Sequence, residues 1–133
     1  MEMISPYTFP GLSKETLFHL NYEKMLITKE EIIDLICKEG GVTLEELSSP
    51  SRKTEIVNSR KLLSGALKIK LNMRLISIGE ILGGRDHTTI RNQLLKFKDH
   101  CQYDEMFRLR AQLILKKLGI DFQHNYIDIK DNR

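Results

Sequence analysis

Residues Gly79 to Ile90 read GEILGGRDHTTI. An apolar run is broken by two glycines, and five polar residues follow: Arg85, Asp86, His87, Thr88 and Thr89. Asp86 stands where an N-cap belongs, able to accept the Thr88 or Thr89 amide and to favour the positive end of a helix dipole. A short helix, a glycine-containing turn and a helix with a polar first turn make up a helix-turn-helix, whose second helix reads base edges in the DNA major groove with its N-terminal residues. Asp accepts from the cytosine amino group, His donates to an acceptor edge, and Thr offers a hydroxyl and a methyl. Arg85, at the mouth of the turn, suits a phosphate.

Other chemistries fit the cluster less well. A metal site needs further ligands at helical spacing, and the positions three and four away from His87 are Gly83, Gly84, Ile90 and Arg91. Adjacent helical side chains diverge by about 100°, so Asp86, His87 and Thr88 do not converge as a catalytic triad. A phosphate loop needs a preceding strand and a Lys after its glycines. A plain helix cap, with no ligand, remains open at this point.

Outward from this stretch the pattern is helical throughout. HTTIRNQLLKFKDHC carries an inner stripe of Ile90, Leu94 and Phe97. Asp104 begins a further helix that Gly119 stops, with Lys116 and Lys117 complementing its C-terminal dipole. Upstream, LISIGEIL allows about two turns. Before the short turn NMR, residues 55–71 predict a long amphipathic helix with Ile56, Leu63, Leu67 and Leu71 inward and Arg60, Lys61 and Lys68 on its other faces. Gly65 within it suggests close packing against a neighbouring helix. SSPSRKT is a polar loop with two cations. Thr28 with Glu31, and Thr43 with Glu46, fit capping boxes for two earlier helices, the first carrying Ile32, Ile33, Leu35 and Ile36 and ending at Gly40 and Gly41. The expectation is an all-α domain of five to six helices over residues 28–118. An N-terminal arm or short helix (1–27, with Tyr7 and Phe9 as docking aromatics) precedes it, and a tail (119–133) follows.

Composition narrows the function classes. With 41% hydrophobic and 29% charged residues, the 133-residue chain can fill one modest core and is not a disordered segment. No stretch nears ~18 uncharged apolar residues, and the N-terminus lacks the order of a secretory signal, so a cytoplasmic, nucleoid-associated protein without membrane contact is expected. Cys37 and Cys101 read as reduced thiols in or near the core. The net charge of +3 is uneven: residues 51–98 hold eleven Lys or Arg against three acids, a local +8 that leaves −5 elsewhere. Such asymmetry fits a polyanion-binding face.

GGRDHTT followed by an apolar residue resembles the hallmark of the C-terminal DNA-binding domain of the bacterial replication initiator DnaA. The likeness extends without a gap over SPSRKTEIVNSRKLLSGALKIKLNMRLISIGEILGGRDHTTIRNQLLKF and covers roughly residues 28–118. It implies the TrpR-like, DnaA C-terminal-domain-like fold and binding to a DnaA box, a short asymmetric duplex site resembling TTATCCACA. By the resemblance, Asp86, His87 and Thr88 read bases in the major groove and Arg52 enters the adjacent minor groove. Arg60, Lys61, Lys68, Asn72 and Thr89 hold phosphates, joined by Arg85 and Lys96. Three positions depart from the family pattern. Ile76 stands where a proline usually packs on a thymine methyl, Asn92 replaces a histidine, and Lys61 replaces a glutamine; these bear on preference at one or two base pairs. The P-loop pattern of the initiator's ATPase domain does not occur in these residues, so the resemblance implies a free-standing binding domain, as expected of a phage or mobile-element protein.

The leading expectation is therefore sequence-specific double-stranded DNA binding in replication control or transcriptional regulation, with no cofactor, metal or small-molecule substrate. An interaction module is the alternative, recruiting a protein partner through the arm and the acidic residues Glu30, Glu31, Asp34, Glu39, Glu45 and Glu46. An enzyme is not expected, because the four histidines (His19, His87, His100, His124) are scattered and no acid pair stands out.

Overall fold

A computed structural model describes residues 27–120. The N-terminal arm, the short helix expected within it, and the tail beyond Ile120 lie outside the described residues. Among these, six helices and no strand are found: α1 Lys29–Gly40, α2 Leu44–Ser48, α3 Thr54–Leu71, α4 Leu75–Ile81, α5 His87–Tyr103 and α6 Glu105–Lys117.

Local chemistry sets most of the boundaries. At α1 the Thr28 hydroxyl accepts the Glu31 N–H at 3.3 Å, and the Glu31 carboxylate accepts the Thr28 N–H at 2.9 Å. Thr43 and Glu46 repeat the arrangement at α2. Each reciprocal pair satisfies two amides that a helix start otherwise leaves open. Gly41, at φ 64°, closes α1 in the left-handed region. Asp104 caps α6, accepting the Phe107 N–H at 3.2 Å.

The long helix departs from its expected role. α3 is the axis of the domain rather than a one-faced amphipathic element: α1, α2, α4, α5 and α6 all pack on it. Ile56, Leu63 and Leu67 are buried as expected, but Leu71 is only half-buried, and Ser59, Arg60, Ser64 and Lys68 are buried too. Arg60 and Lys68, placed on outer faces by the spacing, retain 7% and 6% exposure. Periodicity marks one apolar stripe and cannot register neighbours that surround a helix on several sides. The wide apolar face expected of α1 is also narrower, with Ile32 and Ile36 buried and Ile33 and Leu35 half-buried.

Gly65 lets α3 and α5 approach. A Cβ there would lie 2.7 Å from the Phe97 ring, which is itself buried and packs edge-on against Phe107 at 5.9 Å between centroids. The expected inner stripe of α5 is buried, and Cys101 continues it. Both cysteines are free; burial pushes the Cys101 thiol up to about 12, while Cys37 is half-buried. No helix among the described residues is long and apolar enough to cross a membrane.

Candidate nucleic-acid interface

Helices α4 and α5 form the helix-turn-helix, and their geometry turns on Gly79. Its carbonyl accepts the N–H groups of Gly84 and Arg85 at 2.9 and 3.0 Å, folding the turn back over α4. A Cβ on Gly79 would stand 1.9 Å from the Arg85 carbonyl oxygen. Gly83 adopts φ 87° and faces the Ser48 carbonyl, so the turn also abuts the end of α2.

Helix α5 begins as expected. The Asp86 carboxylate accepts the Thr89 N–H at 2.8 Å. That hydrogen bond, helped by the Thr89 side chain and by His87, lowers the Asp86 carboxyl below its ordinary value. Asp86, Thr88 and Thr89 are exposed, and His87 is half-buried at the first helical position. One turn of helix thus presents a carboxylate, an imidazole and two hydroxyls at its positive end.

Beside this turn, α3 and α5 enclose a groove of about 290 Å³ lined by Val57, Arg60, Lys61, Arg85, Thr89, Asn92, Gln93 and Lys96. Four of the eight are cations and none is an acid. The groove brings together five of the seven residues read as phosphate-binding: Arg60, Lys61, Arg85, Thr89 and Lys96. It does not include Lys68 or Asn72. Lys68, about 12 Å farther along α3, donates to the Met73 carbonyl at 3.4 Å. Asn72 is exposed at the left-handed cap of α3, φ 49°. Ile76, near it on α4, is 45% exposed, and Arg52 is exposed in the loop before α3.

Two of the arginines have a structural partner that sequence reading missed. Arg60 Nε donates to the Leu47 carbonyl at 2.8 Å, and its Nη2 to the carbonyls of Ser49 and Glu46. Arg85 Nη2 donates to the same Ser49 carbonyl at 2.9 Å, and its Nη1 to the Leu82 and Leu47 carbonyls. Both guanidiniums thus converge on the carbonyl end of α2, where unpaired acceptors and the negative end of the helix favour cations. Burial and the charge of Arg85 lower the Arg60 guanidinium from its usual value. The clamp ties the loop bearing Arg52 to the helix-turn-helix. Gln93 completes it, donating to the Arg60 carbonyl at 3.0 Å and to Ser64 Oγ at 2.5 Å. No sequence signal marks this set, because the Glu46, Leu47 and Ser49 carbonyls lie 11 to 38 positions from the guanidiniums that hold them.

Among the described residues no cluster of three or more His, Cys, Asp or Glu could hold a metal ion. The acids of the first helices are in part accounted for: Glu31 and Glu46 close capping boxes, and Glu39 pairs with Lys117 at 2.5 Å.

Residues 29–96 match the family described as the bacterial dnaA protein helix-turn-helix. Over 95 residues the chain is 37% identical to the chromosomal replication initiator protein DnaA of Thermomicrobium roseum, covering 71% of this chain and 20% of that protein. It is 33% identical over 98 residues to that of Gloeobacter violaceus, covering 74% and 22%, and 40% identical over 67 residues to that of Ureaplasma parvum, covering 50% and 15%. The chain spans about a fifth of the length of the first two of these curated relatives.

Proposed function

The chain belongs to the bacterial dnaA helix-turn-helix family, and from that membership we propose that it binds double-stranded DNA at a DnaA-box-like site, in replication control or transcriptional regulation. The observation that carries this reading is the acid-free groove with four cations, set beside the exposed first turn of α5.

Each part has a physical task. The polar turn Asp86–Thr88 enters the major groove, where its three side chains offer an acceptor, an imidazole N–H and a hydroxyl with a methyl. Asp86 serves twice, since the oxygen that caps Thr89 also holds the carboxylate at the helix start. Ile76 supplies apolar contact to a thymine methyl, and Arg52 reaches the minor groove from its loop. Lys61, Lys96 and Thr89 take phosphate oxygens in the groove, with Asn72 at the other end of α3, where the buried Lys68 is held on the Met73 carbonyl instead. Arg60 and Arg85 add charge to the groove floor while orienting the loop through the α2 carbonyls.

Binding of a labelled duplex carrying TTATCCACA, compared with a scrambled duplex over a salt series, tests the proposal. The phosphate contacts implied by the resemblance would neutralise about five to seven phosphates. With Arg60 and Lys68 buried, about four cations remain to release counterions, and the slope of log K against log salt is expected near −4. A preference for the site that persists at physiological salt supports the reading; equal binding to both duplexes leaves a backbone grip with a different target; no binding to either overturns it.

A further inference from the structure

The junction of α5 and α6 carries three polar side chains in series. The Asp104 carboxylate lies 3.0 Å from His100 Nε2. The other ring nitrogen, Nδ1, is 3.1 Å from Lys61 Nζ. The imidazole lies flat on Phe107, with centroids 3.8 Å apart and planes 10° from parallel, and Lys61 Nζ sits 5.8 Å from the centroid of the same Phe107 ring. An ammonium only donates and a carboxylate only accepts. Both contacts are therefore satisfied by one species: a neutral imidazole with its proton on Nε2 and its lone pair on Nδ1. Lys61 is also a wall of the cationic groove.

We propose that His100, oriented by Asp104, is a positioning residue for Lys61 and makes the grip on phosphate depend on pH. The inference rests on the groove being the phosphate-binding surface. While neutral, His100 accepts from the ammonium and holds it back along Phe107. Once protonated, it keeps its bond to Asp104 but has no lone pair for Lys61. Two cations at this distance repel, and the ammonium swings into the groove.

The surrounding groups support this assignment. From α3 comes Lys61, whose ammonium burial and the nearby Lys96 of α5 destabilise, so that an acceptor matters to it. Asp104 is held low by the Phe107 amide and His100. Arg108 of α6 donates to the Cys101 and Gln102 carbonyls, and the buried Cys101 thiol is neutral. Imidazole is the one side-chain type in this set whose ordinary range falls near neutrality, about 6.5. If a neutral His100 holds Lys61 back, linkage requires that phosphate binding take up a proton and that affinity rise as pH falls.

The test uses the whole chain and the TTATCCACA duplex, with salt series at about pH 8 and about pH 6. The unmodified protein is expected to show a salt slope steeper by about one at the lower pH, the signature of one more phosphate contact. His100→Asn and Lys61→Gln are each expected to lose that difference. His87 is present in all three proteins and cancels in the comparison. A full pH difference retained in His100→Asn overturns the proposal. Should that variant fold poorly, nitrogen NMR of the unmodified free protein decides: the Nε2–H tautomer with a Lys61 Nζ signal that moves as His100 titrates supports the latch, and an Nδ1–H tautomer overturns it. A chain that binds no duplex at either pH overturns the DNA reading by itself, and the same NMR titration still decides whether His100 holds Lys61.

Discussion

The N-termini of α1 and α5 are both capped by a side chain, yet they present opposite surfaces. At α1, Thr28 and Glu31 bond reciprocally, so the cap closes within four residues. At α5, Asp86 accepts the Thr89 amide, but the residue three positions on is Thr89 itself, and no side chain returns the bond. One helix start is sealed and adds stability alone. The other leaves a carboxylate, an imidazole and two hydroxyls at a positive helix end beside a cationic groove. The cap of α1 is thus closed by Glu31, whereas that of α5 leaves Asp86, Thr88 and Thr89 exposed.

The most disruptive way to break this contrast acts on the turn that aims α5. Gly79→Ala places a methyl against the Arg85 carbonyl, and backbone on both sides must move. A loss of about 3 kcal/mol is expected in urea unfolding, with duplex binding lost alongside. Arg60→Ala comes next. It strips the Leu47 and Ser49 carbonyls of a charged donor and is expected to lower stability by about 2 kcal/mol, and to weaken binding further than its charge accounts for, because the Arg52 loop loosens. A double-mutant cycle of Arg60→Ala with Arg52→Ala checks that coupling: additive losses would sink the clamp.

A milder pair of changes sharpens the comparison. Thr28→Ala is expected to lower stability by about 1 kcal/mol while leaving duplex affinity intact. Asp86→Ala is expected to lose a cap as well, and site preference with it. If both variants bound the site equally well, the open and closed caps would not differ in function.

The smallest effect is a pH dependence. Asp86 and Asp104 are held below their ordinary range by the Thr89 and Phe107 amides. A depressed carboxyl stabilises the fold above its unfolded value, about 3.9, and loses that contribution as pH falls through its folded value. The urea midpoint should therefore decline below about pH 4, and Asp86→Ala should flatten part of that decline.

Much of the fold was legible because its signals are local. The two capping boxes, Asp86 and Asp104 as caps and the inner stripe of α5 each depend on residues within a few turns. A close neighbour would explain Gly65, but the contact itself and its partner Phe97 are visible only in the structure. Gly79 was not, since nothing in GEIL announces that a carbonyl six residues on will fold back onto its α-carbon.

The candidate site divides in the same way. Hydrogen-bonding types, charge asymmetry and the family likeness were present in residues 51–98 of the chain itself, because composition and motif are linear properties. The burial of Arg60 and Lys68, the shared grip of Arg60 and Arg85 on the end of α2, and the contact of Lys61 with His100 were decided only in three dimensions. A charged side chain's role depends on which acceptor lies within about 3 Å of it, and packing around α3 brings those acceptors from positions as far as 39 residues away.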